Sequence, residues 1–251
     1  VIDLTGARAL VTGGSRGIGA ATARLLARAG AQVVVGYRSR IADAESVAEE
    51  LRSYGVKAEA FGADIATREG AESLVAETLR VFGGLDIFVG NAGVWPAEEV
   101  PLTEMDDARW QRTMRENVDS IFFTTRAVAG AMADRGRIVL VSSTAGQRGE
   151  AMHADYGASK GAVIAFTKSL AVELAPREIT VNSVAPGWVD TDMVAAPMAG
   201  EGRARIEAGI PLGRVASADD IAGPILFLCS PLARHVTGEI LNVNGGSVLC
   251  G

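Results

Sequence analysis

Seven short runs rich in β-branched residues punctuate this chain: ALVT at 9–12, QVVVGY at 32–37, KAEAF at 57–61, LDIFVG at 85–90, RIVLVSS at 137–143, ITVNSVA at 179–185 and EILNV at 239–243. Segments of helical period separate them, near 18–29, 42–54, 68–82, 104–133, 155–175 and 217–229. Where a helix intervenes between strands, the strands run parallel and the helices pack over the sheet they connect. Parallel strands are buried on both faces and read as unbroken apolar runs, as VVV at 33–35 and IVLV at 138–141 do. The pattern predicts an α/β, doubly wound fold: a seven-stranded parallel sheet flanked by helices.

With 251 residues the chain can bury one large core and is too short for two comfortable α/β domains, so 1–251 reads as a single domain. One stretch breaks the alternation. From about 188 to 214 the sequence mixes Asp, Met, Gly and Pro, with at most a short helix. A connection this long is commonly functional, and it follows a strand end, where open α/β sheets hold ligands. It is expected to be a substrate lid.

Composition excludes several classes. Hydrophobic residues make up 48% and charged residues 22%. That ordinary globular balance points neither to disorder nor to a fibrous repeat. The net charge is −6 and the basic residues are scattered, which argues against a nucleic-acid partner. Two histidines and two cysteines, Cys229 and Cys250, offer no metal-site spacing and suit a reducing cytoplasm. The N-terminal run is too short and polar for a secretory signal, and no 18 consecutive apolar residues are present to span a membrane.

The turn TGGSRGIG joins the first strand to the first helix, with Gly13, Gly14, Gly17 and Gly19 among its residues. Glycine allows a tight turn and close backbone approach, and a helix N-terminus offers free N–H groups to a phosphate. The spacing Gly13-x3-Gly17-x-Gly19 differs from the commonest dinucleotide fingerprint, but its position between strand and helix suits a Rossmann fold. The second strand ends in Tyr37 and Arg38, with no carboxylate to select a ribose 2′-hydroxyl. Arg38 and Arg16 could clamp a 2′-phosphate, so NADP(H) is the expected cofactor; Arg38 and Arg40 would also suit a solvated loop. Asp64 and Ile65 follow the third strand, and Asn91, Ala92 and Gly93 end the fourth, at the edge where the cofactor should rest. Asn91 has two available roles, contact with the cofactor and support of its own turn.

Tyr156 and Lys160 stand four residues apart in YGASK, on one face of a helix. At ~4 Å and an effective dielectric of ~20, an ammonium would favour the phenolate by about 4 kcal/mol, bringing the tyrosine towards working pH before desolvation opposes it. TGGSRGIG, NAG, Asn117 in ENVDS, Ser143 in VSSTAG, YGASK and PGWVDT at 186–191 occur in the order found in short-chain dehydrogenases/reductases, a family that the chain resembles throughout its length.

The resemblance implies a catalytic tetrad of Asn117, Ser143, Tyr156 and Lys160, with Ser142 as an adjacent decoy. It implies cofactor contacts from Gly13, Ser15, Arg16, Gly17, Ile18, Gly19, Tyr37, Arg38, Asp64, Ile65, Asn91, Ala92, Gly93, Tyr156, Lys160, Pro186, Gly187, Val189 and Thr191. Asn117 would position water linking Lys160 to solvent, or it is a polar helix residue that satisfies a kink. Trp95, Trp188, Met193 and Met198 are candidate pocket walls, and His153 reads as a neutral pocket residue. The helix near 155–175 is apolar on more than one face, and its small residues suit pairing into a homotetramer.

Within the family the chain is most similar to 3-oxoacyl-acyl-carrier-protein reductases. That similarity implies reduction of a thioester-borne 3-oxo group, with an acyl carrier protein as a partner. Docking such an acidic carrier requires basic residues near the pocket entrance, a role for Arg177, but Asp134 stands where a basic residue is expected. The nearest rival is a reductase or dehydrogenase acting on a free ketone, sugar or polyketide; a non-catalytic NADP sensor is a third reading.

Overall fold

The computed structural model describes residues 2–249, and Cys250 lies outside them. The strands are β1 (Arg8–Thr12), β2 (Gln32–Tyr37), β3 (Ala58–Gly62), β4 (Ile87–Gly90), β5 (Arg137–Val141), β6 (Thr180–Pro186) and β7 (Ile240–Val243). All pair in parallel in one sheet of order β3-β2-β1-β4-β5-β6-β7. The helices are α1 (Gly17–Arg28), α2 (Ile41–Ser53), α3 (Arg68–Phe82), α4 (Asp107–Met114), α5 (Ser120–Ala131), α6 (Thr144–Arg148), α7 (Ala154–Glu173), α8 (Gly202–Ala208) and α9 (Ala218–Cys229).

Alternation within the central strands divides the core into two layers. Ala9, Val11, Val33, Val35 and Val89 face Leu26, Ala44, Ile221 and Ile225 from α1, α2 and α9. Leu10, Val34, Phe88, Ile138 and Leu140 face Leu74, Ile121, Val163 and Leu170 from α3, α5 and α7. The strand order reverses between β1 and β4. The crevice at such a switch point, outside the carboxyl strand ends, is where this architecture holds ligands. The glycine turn follows β1 and Asn91 follows β4, one on each side of it.

Two expected elements differ. The helix expected over 104–133 begins at Asp107 and is interrupted by a π turn, Arg115–Asp119, which separates α4 from α5. Within 188–214 there is a 3-10 turn at Asp192–Val194 and the short α8. That segment is tied to the chain beyond the carboxyl end of β7 by the Leu212 N–H to Gly245 O bond at 3.1 Å, and its ends are joined by Ala216 N–H to Trp188 O at 3.1 Å.

Candidate active site

The glycine turn is shaped by contacts that leave no room for larger residues. A Cβ on Gly19 would stand 2.2 Å from the Gly13 carbonyl oxygen, and one on Gly13, whose φ is +63°, would stand 2.9 Å from Asn91 Nδ2. Asn91 explains that closeness by donating to the carbonyls of Thr12 at 3.0 Å and Gly13 at 3.2 Å, so its side chain supports the turn. Thr12, the first residue of TGGSRGIG but not among the expected cofactor contacts, accepts the N–H groups of Asn91 and Ala92 at 3.1 and 3.2 Å. Arg16, the N-cap of α1, provides no capping acceptor. The free N–H groups of that helix start therefore suit an anion.

A groove of about 270 Å³ runs over this turn, lined by Gly13, Ser15, Arg16, Gly17, Ile18, Tyr37, Arg38, Asp64, Ile65, Asn91, Ala92, Gly93 and Thr191. A second cavity of about 150 Å³ shares Ile18, Asn91, Gly93 and Thr191 and adds Ser143, Tyr156, Lys160, Pro186, Gly187 and Val189. Every residue expected at the cofactor thus lines the groove or its continuation, except Gly19, whose role is the close packing above. An extended groove, an uncapped helix start and a Gly17 whose Cβ would crowd Thr191 Cγ2 at 3.2 Å fit a dinucleotide.

The charged groups at the far end are not as expected. No carboxylate follows β2 in sequence, yet Arg38 pairs with Glu116 from the π turn and Arg16 with Asp192 at 2.8 Å. Neither partner carries a sequence signal, because only the fold brings residues 78 and 176 positions apart together.

At the other end, Ser143 is the N-cap of α6 and accepts the Ala145 N–H at 3.1 Å. Its hydroxyl lies on the same cavity as the Tyr156 phenol and favours the phenolate. Ser142 points elsewhere and donates to the Lys160 carbonyl at 2.9 Å, tying β5 to α7. Lys160 Nζ donates to the Val141 carbonyl at 2.9 Å and lies 5.8 Å from the centre of the Tyr156 ring.

The expectation that Lys160 draws the tyrosine towards neutral pH is not met. Burial pushes Tyr156 up to about 12, offset in part by the Ser143 hydroxyl and assisted by the nearby Glu150 carboxylate. Burial likewise brings Lys160 down to about 8. Desolvation disfavours both charged forms and outweighs the attraction inferred from spacing.

Asn117, 1% exposed, uses its side chain to hold the strand end opposite. Its Oδ1 accepts the Val94 N–H at 2.7 Å, and its Nδ2 donates to the Val94 carbonyl at 2.9 Å and to Ser159 Oγ at 3.0 Å. Both of its donors are thus committed within the protein rather than to a water at Lys160. Proximity is nonetheless tight, since a Cβ on Gly93 would stand 2.9 Å from Asn117 Oδ1 and 3.4 Å from Lys160 Nζ.

The outer wall of the cavity is aromatic and charged. Trp95 stacks on His153, with ring centres 4.9 Å apart, and meets Trp188 edge-on at 5.9 Å. Trp95 Nε1 donates to Glu150 Oε1 at 3.2 Å. Burial raises the Glu150 carboxyl above its usual range against the opposing pull of His153 and Trp95. Glu150 and Arg148 both line the cavity without any motif to mark them, while Met193 lines it and Met198 does not.

Arg177 does not stand at the entrance of its own chain's pocket. It lies beyond the C-terminus of α7, and the stretch of that helix from Tyr156 to Glu173 alone rises about 25 Å. It donates to Asp134 at 2.9 Å and to the Ala129 carbonyl at 2.6 Å.

A doubly wound sheet with a glycine turn at its switch point, and a Ser, Tyr and Lys gathered where β5 and α7 meet, define a short-chain dehydrogenase/reductase. The chain belongs to that family. The sequence profile described as "Enoyl-(Acyl carrier protein) reductase" matches residues 13–247. Among its relatives, the 3-oxoacyl-[acyl-carrier-protein] reductase FabG of Aquifex aeolicus is 40% identical over 98% of both chains. The L-rhamnose 1-dehydrogenase (NAD(P)(+)) of Azotobacter vinelandii is also 40% identical, over 94% of both. A short-chain dehydrogenase from Burkholderia cenocepacia, solved in complex with NADP, superposes with a TM-score of 0.91 at 38% identity over 97% of this chain and 98% of that one.

Proposed function

We propose that the chain is an NADPH-dependent reductase that converts a carbonyl of the 3-oxoacyl type to a hydroxyl, using Ser143, Tyr156, Lys160 and Asn117. The observation that carries this reading is the convergence of Ser143, Tyr156 and Lys160 on the small cavity that adjoins the long groove. Arg16, Arg38 and the first turn of α1 are suited to the phosphates of NADPH, and Pro186, Gly187, Val189 and Thr191 to its nicotinamide end. NADP in the complex from Burkholderia supports that choice of cofactor.

When bound, the cofactor supplies a hydride to the carbonyl carbon. Ser143 Oγ and the Tyr156 phenol hold the carbonyl oxygen, and the phenol gives its proton to that oxygen as negative charge develops there. A tyrosine pushed up to about 12 by burial arrives protonated at neutral pH, ready to act as an acid. Lys160, about 8 in the same setting, is still largely cationic at pH 7 and stabilises the phenolate left behind. Asn117 acts on the framework: it holds Val94 and Ser159 so that Gly93 and Lys160 stay in register. The segment 188–214, with Trp188 and Met193 on the cavity, serves as the substrate lid.

A second reading, a compact hydroxyl-bearing ketone or sugar, is favoured by the Trp95–Trp188 corner and the Glu150 carboxylate. Such a wall suits a polar ring better than an acyl chain, and a sugar dehydrogenase stands among the relatives. NADPH oxidation measured with acetoacetyl thioesters, diketones and sugars separates the readings. Tyr156→Phe should lower turnover on the best of these at least about a hundredfold while NADPH still binds. Near-normal turnover in that variant would sink the mechanism, and binding without oxidation across the panel would favour a sensor.

A further inference from the structure

The adenosine end of the groove is crossed by a chain of charges. Arg38, at the end of β2, donates to Glu116 Oε2. The other oxygen, Oε1, accepts from Arg115 Nη1 at 2.7 Å, and Arg115 Nη2 donates to Asp64 Oδ2 at 2.5 Å. The two partners in the first contact differ in exposure: the Glu116 side chain is 14% exposed and Arg38 51%. The carboxylate is thus enclosed by the fold, in the π turn anchored by Asn117 and with its second oxygen held by Arg115, while the guanidinium is the exposed member. Across the groove Arg16 is held by Asp192 at 2.8 Å, with Arg40 3.8 Å from the same oxygen. Each of the two arginines suited to a phosphate therefore already has a carboxylate of its own.

We infer that Glu116 is a specificity-determining residue that narrows the preference for a 2′-phosphorylated dinucleotide, so that the chain binds NADH as well as NADPH. A phosphate brings between about one and two negative charges. To engage Arg38 it must take that guanidinium from Glu116, and it then lies beside a carboxylate that the fold does not release. An unphosphorylated ribose requires no such exchange, and its hydroxyl meets an acceptor in Glu116. Selectivity is a difference of two affinities, and a like charge fixed at the phosphate's position lowers one of them. The inference rests on the reading that puts the adenosine ribose at the end of β2.

Dissociation constants for NADPH and NADH, read from cofactor fluorescence in the absence of any substrate, test it on the intact chain. Glu116→Gln should raise the ratio of the NADH constant to the NADPH constant about three- to tenfold. An unchanged or lower ratio overturns the role of Glu116. Arg38→Ala should weaken NADPH more than NADH; if it alters neither, the ribose lies elsewhere and the inference falls with that placement. Should the Glu116 variant not fold, the wild-type chain titrated with 2′,5′-ADP and 5′-AMP tests the same point. The two should differ by less than about a hundredfold, and a larger gap overturns the inference.

Discussion

Tyr156 and Lys160 show how far a residue's neighbours can reverse what spacing alone suggests. Both are enclosed enough that loss of hydration governs their protonation, and each is displaced towards its neutral form. For the lysine the consequence for stability has a definite sign. Its folded value, about 8, is below its unfolded value of about 10.4. The unfolded chain therefore binds more protons between those limits, and stability rises with pH across them. Below pH 8 the cost of burying the charge is fully present, on the order of 3 kcal/mol. Lys160→Met should therefore gain stability relative to wild type at pH 7 while losing turnover. That advantage should shrink as pH rises from 8 towards 10.5 in urea melts; a constant difference would contradict the burial of a charged lysine. Helical spacing showed that the tyrosine and lysine share a face, and Ser142 against Ser143 could be told apart in the sequence only by resemblance. Depth of burial left no such trace, because it depends on β5, α6 and α7 closing together.

Among the elements, the π turn at Arg115–Asp119 matters most. A helical period is visible over 104–133, but nothing in it marks a break, because the cause is a demand made from elsewhere: the backbone of Val94 needs a partner, and Asn117 turns in to supply one. Asn117→Ala would remove the side-chain partner of the half-buried Val94 N–H and C=O, two hydrogen bonds each contributing about 0.5–1.5 kcal/mol. The unfolding free energy from urea melts should fall by about 2 kcal/mol, with cofactor affinity falling alongside. Unchanged melts would return Asn117 to the role of water carrier. The glycine turn is the opposite case. Gly19→Ala would drive a methyl into the Gly13 carbonyl at 2.2 Å, so NADPH binding should fall at least about tenfold, as a fluorescence titration would show. That element was legible because its chemistry is local: a turn, a helix start and the residues that permit both.

The whole molecule decides matters that no single element contains. The described residues include no helix long and apolar enough to cross a membrane. α7 buries Asp155, Ser159, Lys160, Val163, Thr167 and Leu170 along one face and exposes Ala158, Ala165 and Val172 along another. We propose that this small-residue face pairs with a second copy, as the expected homotetramer requires. Light scattering should then give a multiple of 26.0 kDa, and Ala165→Arg should reduce it; a monomer in the wild type would refute the pairing.

Strand number, the parallel run of the strands, the glycine turn and the shared helical face of Tyr156 and Lys160 were determined by short-range patterns, since hydrophobic period, turn chemistry and helical spacing act over a few residues. Tertiary structure alone decided that Glu116 meets Arg38, that Asp192 meets Arg16, that Glu150 joins Trp95 on the cavity wall and that burial keeps Tyr156 protonated. Those are effects of charge and desolvation between groups well separated along the chain, and they exist only once the sheet has brought its carboxyl ends to one edge.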